Sequence, residues 1–346
     1  MMIHGPDRVL NCGLCPHQCR IPPGGRGRCG VRENRDGKLA LPYSGYITAV
    51  SSDPIEKKPL YHFRPGSSIL SLGFVGCNLR CPFCQNWHIS QLADGKRPPG
   101  ETLSPEQVIA LAKGGDAGGA GRASGGGGGG QIAYTYSEPL IHFEYLKDCM
   151  ELAHERGIAN VLVSNGCINT AAAEKLLPLI DAANIDLKCF SEKTYREVLG
   201  GDLETVLNFI RAAYQSGVHL EITTLVVPGL NDSDAELEHC AEFIAGLQDA
   251  TAGPQAITTQ YTPPWHLSAY HPSYHWDTPP TKSTALLRAA KRARKILPYV
   301  YAGNIAGEEN DTACPHCGAV LVKRRGYRVD VRGLAPPVAA ARGLRA

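Results

Sequence analysis

The sequence predicts an α/β protein: a partial (βα)6 barrel with a cysteine-rich N-terminal extension and a short C-terminal cysteine knuckle. Three observations carry that reading. From residue 68 onward, short apolar runs alternate six times with segments of helical periodicity, the pattern of a parallel sheet with helices outside it. Three cysteines crowd the stretch just after the first of these runs. Isolated polar residues then recur at the ends of the later runs, where the βα loops of a barrel gather on one face. Six units suit a partial barrel better than a closed eight-fold one.

Taken in order, residues 1–42 read as a loop-like, cysteine-rich segment, and residues 43–305 as the barrel core. YSGYITAV (43–50) is an expected strand outside the repeat. SILSLGF (68–74) is the first repeat strand. SPEQVIALAK (104–113) is its helix, with Ser104 as N-cap, Pro105 at the first helical position and Gln107 three residues on. The second to fifth strands are QIAYTY (131–136), NVLVSN (160–165), AANIDLK (182–188) and HLEITTLVV (219–227). Their helices are expected at 143–157, ending on Gly157, and at 170–180, 203–217 and 233–247. QAITTQY (255–261) is the expected sixth strand and STALLRAAKRARKIL (283–297) the last helix. Residues 306–346 carry a CxxC knuckle and an Ala/Arg/Pro-rich end expected to be disordered.

Composition narrows the function. Of 346 residues, 43% are hydrophobic and 20% charged, and the net charge is +2. That balance demands neither nucleic acid nor membrane. No apolar run approaches the roughly 18 residues of a membrane span, and the N-terminus lacks the apolar core of a secretory leader; a cytoplasmic protein is expected. The basic side chains of 288–295 read as a solvated helix face over an apolar stripe. Eleven glycines between residues 114 and 130 follow a helix rather than open one, so they read as a flexible insertion and not as a phosphate loop.

Thirteen cysteines in a reducing compartment point to metal ligands where they cluster. Cys77, Cys81 and Cys84 stand in a C-x3-C-x2-C spacing. Three thiolates can hold three irons of a [4Fe–4S] cluster, whose full ligation takes four; the open iron is a docking place for a small molecule. Zinc, with His88 as a fourth ligand, is the alternative. Cys12, Cys15, Cys19 and Cys29 have the closed four-ligand spacing of a zinc site or a second cluster. Cys314 and Cys317 form one CxxC, with no second pair after it. The scattered Cys149, Cys167, Cys189 and Cys240 read as small buried hydrophobes.

C-x3-C-x2-C after the first barrel strand is the signature that radical S-adenosylmethionine (SAM) enzymes carry, and this chain resembles them closely. Together with 53–90, AYTYSEP (133–139), IDLK (185–188), VVPGLND (226–232), PWHLSAYHP (264–272) and YAGN (301–304), it resembles the radical SAM member of the AmmeMemoRadiSam system, a relative of pyruvate formate-lyase activating enzymes. The resemblance spans about residues 10–327. It implies a [4Fe–4S] cluster on Cys77, Cys81 and Cys84, with SAM on the open iron. Reductive cleavage of SAM would yield a 5′-deoxyadenosyl radical that takes hydrogen from a substrate, by analogy a protein. It also implies a one-electron reductant such as flavodoxin or ferredoxin. By the same resemblance Glu138 would hold the SAM amino group, Asn165 its ribose or carboxylate, and Asp186 and Lys188 SAM or a cation beside it, with Phe83 near adenine. Asn231, Trp265 and His266 are expected on the same face. An iron–sulfur electron-transfer or scaffold protein, and an RNA-modifying radical SAM enzyme, are the competing readings.

Overall fold

A computed structural model describes residues 8–92, 97–114, 130–248, 261–307 and 310–334. Its centre is an eight-stranded sheet. The strands are β1 (Ala49–Pro54), β2 (Ser68–Gly73), β3 (Gln131–Thr135), β4 (Ala159–Ser164), β5 (Ala182–Asp186), β6 (His219–Val226), β7 (Trp265–Ala269) and β8 (Val300–Gly303). They lie side by side in chain order. β2 to β8 are parallel, and β1 pairs antiparallel with β2 along the outer edge.

The register follows from burial. Every residue of β3 is buried, and β4 and β5 are almost wholly so. Strands covered on both faces carry near-continuous apolar runs rather than alternation. The coverings are six helices: α1 (Pro105–Gly114), α2 (Phe143–Glu155), α3 (Thr170–Leu176), α4 (Leu203–Gln215), α5 (Asp234–Gly246) and α6 (Ser283–Ala293). Each follows one parallel strand and precedes the next, so the six βα units are present. Their starts are chemically specified. Ser104 and Gln107 cap α1 reciprocally, the Gln107 N–H to Ser104 Oγ at 3.3 Å and the Ser104 N–H to Gln107 Oε1 at 2.8 Å. Asp202 and Ser233 accept backbone N–H groups at the heads of α4 and α5.

The sixth strand departs from expectation. Residues 255–260 lie outside the described residues, as do most of the glycine run and residues 335–346. The strand that pairs with β6 is β7, with Trp265 opposite Ile222 and opposite Val300 of β8. Trp265 and His266 therefore begin a strand instead of following one. β8 is a seventh parallel strand beyond the six units.

Two small units frame the sheet. Before it, Leu10–Asn11 pairs with Arg20–Ile21, and Glu33–Arg35 with Lys38–Ala40. After it, β9 (Thr312–Ala313), β10 (Val320–Arg325) and β11 (Arg328–Asp330) form an antiparallel sheet. A buried polar network joins that last unit to the amino ends of the strands. Arg324 is 1% exposed. It donates to Thr312 Oγ1 at 2.7 Å and to the Tyr61 carbonyl at 2.6 Å, and its guanidinium lies 4.4 Å from the Tyr61 ring centre. Beside it, Glu221 of β6 accepts from the Tyr61 and His62 N–H groups and from His266 Nε2, the last at 2.7 Å.

Candidate active site

The cysteine loop leaves β2 through Gly76, which has φ of 81°. A Cβ there would sit 2.6 Å from the Cys29 carbonyl, so conformation and close approach both require glycine. The loop is held from several sides. The Gly76 N–H bonds the Ile89 carbonyl at 2.8 Å, and the Arg80 N–H bonds that of Leu199 at 2.7 Å. From the β7–α6 segment, the His275 N–H reaches the Pro82 carbonyl at 2.9 Å and Ser273 Oγ reaches that of Cys84 at 3.2 Å.

These contacts turn Cys77, Cys81 and Cys84 into one cavity of about 320 Å³. Its remaining wall comes from the carboxyl ends of the parallel strands: Tyr136 and Ser137 after β3, Asn165 after β4, Asp186 and Lys188 at β5, Leu225 on β6, Ser268 on β7 and Asn304 after β8. This is the face on which βα barrels carry their chemistry. Tyr136 takes a left-handed φ of 29°, a strain that its flanking bonds hold in place. The Phe74 N–H donates to its carbonyl at 2.6 Å, and Ser137 Oγ donates to the Phe74 carbonyl at 3.0 Å.

Burial raises the Cys77 thiol well above its ordinary value, and it pushes Cys81 up to about 11 against the opposing charge of Lys188. Ligation must then expel protons, which couples metal binding to pH. Lys188 Nζ donates to Asp186 Oδ2 at 3.0 Å. Burial works to lower the lysine, but Asp186 and the nearby cysteines outweigh it and hold the ammonium charged. That fixed cation beside three thiols suits a ligated anionic cluster.

The expected SAM contacts are placed unevenly. Phe83, Asn165, Asp186 and Lys188 all line the cavity. Phe83 is buried, its ring edge-on to Trp276. Asn165 Nδ2 donates to Asn78 Oδ1 at 3.0 Å, and its Oδ1 accepts the Cys167 N–H at 2.8 Å. Glu138 is not on the wall. It is wholly buried, and its carboxylate accepts the Leu140 N–H at 3.0 Å, Ser164 Oγ at 2.7 Å and the Asn165 N–H at 2.8 Å. It braces the ends of β3 and β4 from behind. Its oxygens are engaged with the protein, which leaves a direct hold on the SAM amino group without geometric support. His266 also sits elsewhere, at the amino end of β7 against Glu221. Trp265 Nε1 donates to Thr224 Oγ1 at 3.0 Å, inside the sheet. Asn231 ties the β6–α5 turn to β5, donating to the Lys188 carbonyl at 2.6 Å.

Sequence reasoning passed over Ser90, whose Oγ is 3.2 Å from Cys84 Sγ, and Ser268, Asn304 and Lys57 on the cavity wall. For Ser268 and Asn304 the available signal was a polar residue at the carboxyl end of a strand, whereas Ser90 and Lys57 lie in short helical turns. Among the basic side chains of the last helix, Arg292 pairs with Asp234 at 2.9 Å across to α5.

A family model described as the radical SAM superfamily matches residues 72–243, from the end of β2 into α5. The chain belongs to the radical SAM superfamily. Uncharacterized protein MJ0808 of Methanocaldococcus jannaschii is 37% identical over 331 residues, covering 95% of this chain and 91% of that protein. The pyruvate formate-lyase-activating enzyme of Clostridium pasteurianum is 27% identical, over 51% of this chain and 69% of its own. The benzylsuccinate synthase activating enzyme of Thauera aromatica is 25% identical, over 52% and 56%. Among solved structures, Streptococcus suis SuiB bound to S-adenosylmethionine aligns with a TM-score of 0.49 at 13% identity, over 68% of this chain and 52% of that one. Radical SAM proteins use a [4Fe–4S] cluster and SAM, and the donor set here fits both. Three thiols from one loop open on one cavity. No helix among the described residues is long and apolar enough to cross a membrane.

Proposed function

We propose that this protein is a radical SAM enzyme of the activating type, which takes a hydrogen atom from a protein partner and belongs with the AmmeMemoRadiSam subfamily. The observation that carries the reading is the cavity itself, where three thiols from one loop face the Asp186–Lys188 pair across the carboxyl ends of the sheet. Two of the relatives are named for activating other enzymes, which supports a protein as substrate.

When bound, the cluster would supply the electron that cleaves the SAM sulfonium. The chain's part is to hold and to orient. Cys77, Cys81 and Cys84 would ligate three irons. The wall offers Asn165, Asp186, Ser268 and Asn304 as donors and acceptors for a ligand with both amino-acid and ribose groups. Phe83 adds an apolar surface suited to a base. A reductant of the flavodoxin or ferredoxin class would complete the system.

The test is anaerobic incubation of reconstituted protein with SAM, reductant and deuterated candidate protein partners, following label into 5′-deoxyadenosine. Label transfer from one partner supports the proposal. SAM cleavage that persists in the Cys77→Ala, Cys81→Ala, Cys84→Ala variant would refute it.

A further inference from the structure

The cavity has a second end, away from the three thiols. β1 runs antiparallel to β2, so its last residue, Pro54, lies opposite Ser68 at the amino ends of the parallel strands. The chain then crosses toward β5, where Asn184 Nδ2 holds the Pro59 carbonyl at 2.7 Å. Lys57 and Pro59 thereby line the cavity from the side opposite the cysteine loop. Val163 and Thr223 line it one inward-facing step down β4 and β6 from Asn165 and Leu225, about 6.6 Å nearer the amino ends.

Tyr136 reaches this end from above. Its left-handed φ is an outlier for an aromatic residue, and the conformation sends its ring to a buried cation. Lys58, 1% exposed, donates from Nζ to the Tyr136 phenol oxygen at 3.2 Å and to Asp53 Oδ2 at 2.7 Å, with Nζ 4.7 Å from the ring centre. The ammonium takes the acceptor side of the phenol, so the phenol's own proton is left to donate. Lys57 Nζ bonds the other oxygen of Asp53 at 2.9 Å. One carboxylate therefore faces two ammonium groups, and among the described residues neither lysine has a second acidic partner. One positive charge is left over at the edge of the cavity, while Asp186 and Lys188 across from it balance each other.

Thr223 is an independent observation. It is 7% exposed, and among the described residues its Oγ1 has no hydrogen-bond partner. A buried hydroxyl without a partner is costly. Its neighbour Thr224 points to the other face of β6, where its hydroxyl donates to the Leu187 carbonyl at 2.7 Å and accepts from Trp265 Nε1. Strand alternation then turns Thr223 into the cavity.

We infer that Lys57, Tyr136 and Thr223 anchor a carboxylate of the substrate at the end of the cavity opposite the thiols. All three present donors, and an ionised carboxylate is an acceptor-only group that forms strong charge-assisted bonds. The single surplus charge matches one carboxylate, whereas a phosphate monoester carries about −1.5 to −2. The assignment rests on the reading of this cavity as the reaction site, and it adds the chemistry of what is bound there. The carboxylate belongs either to a small acid or to an acidic side chain of the protein partner.

The test is thermal stabilisation of reconstituted, SAM-loaded protein by matched probes. These are benzoate and phenylacetate, each against its primary amide, and a terminally blocked pentapeptide with a central glutamate against the same peptide with glutamine. In at least one pair the acid should stabilise the protein and its neutral partner should not. A response to the small acids identifies a small-molecule source, and a response to the glutamate peptide alone identifies a protein side chain. Tyr136→Phe, Lys57→Met and Thr223→Val should each weaken that acid about tenfold, while SAM affinity, read from the cluster's paramagnetic resonance, holds. Lys57 is half-exposed and outside the strands, so its variant keeps the test open if Thr223→Val does not fold. Equal effects of acid and neutral partner in every pair, or an acid preference that survives in Lys57→Met and Tyr136→Phe, would overturn the inference. Weakened SAM affinity in these variants would overturn it too, by giving the donors to SAM itself. Failure of the wild-type protein to bind SAM would instead sink the reading of the cavity, and the inference with it.

Discussion

Glu138 Oε2 accepts the backbone N–H of Asn165 at 2.8 Å, tying the end of β3 to the end of β4 from behind the cavity wall. A carboxylate that accepts three internal hydrogen bonds positions its neighbours, and Asn165 is the neighbour that lines the cavity.

Replacing Glu138 with Gln turns one acceptor oxygen into a donor opposite an N–H group. The expected cost is about 1–3 kcal/mol of stability, with SAM affinity reduced through Asn165 and iron content retained. Burial raises the Glu138 carboxyl from 4.5 to about 7, against the pull of Asn165, Ser164 and Leu140. A raised carboxyl binds its proton more tightly in the folded state, so its contribution to stability falls as pH rises from 4.5 toward 7. Urea titrations across that window should show this slope in wild-type protein and a flatter one in the variant.

Lys188 and Asp186 form the charged pair of the wall, with side chains 18% and 36% exposed. Lys188→Met removes the cation beside Cys81 and leaves Asp186 without its partner. We expect SAM to bind about tenfold more weakly, equivalent to ~1.4 kcal/mol, while the iron count stays unchanged. A titration of the cluster's paramagnetic resonance with SAM measures the affinity; unchanged affinity would remove the pair from the binding site.

Glu221 predicts the opposite pH behaviour. Burial works to raise its carboxyl, but hydrogen bonds from His219 and His266 hold it well below 4.5. A depressed carboxyl stabilises the fold above its unfolded value and loses that contribution as pH falls through the folded one. Glu221→Gln should therefore unfold at lower urea than wild type at pH 7, with the gap closing as the pH drops below 4.5. SAM contacts should be untouched, because Glu221 lies at the other end of the strands.

Arg324 joins the C-terminal sheet to the barrel. Arg324→Ala removes its bonds to Thr312 and Tyr61 and leaves the buried Glu56, 3.9 Å away, uncompensated. The expected loss is about 3 kcal/mol or more, with early proteolytic release of residues beyond 310. SAM cleavage should survive in the intact variant, and its loss would show that the C-terminal sheet takes part in the reaction.

The sequence by itself determined the chemistry of the cysteine loop, the alternation that builds a parallel sheet and the polar residues at strand ends. These are local matters: ligand spacing within eight residues, and runs whose burial on both faces demands apolar side chains. Only the tertiary structure decided which strand-end side chains face the cavity. Glu138 and Asn165 sit alike in sequence, yet one turns inward to N–H groups up to 27 residues away and the other lines the cavity. His266 was assigned to the wrong end of its strand because Trp265–Ala269 pairs with β6 and β8 through contacts that its own residues do not announce. The docking of the N-terminal cysteine-rich segment rests likewise on His17 and Asn78, which are 61 residues apart. Such choices are made by packing and hydrogen bonds between distant segments, which local periodicity cannot express.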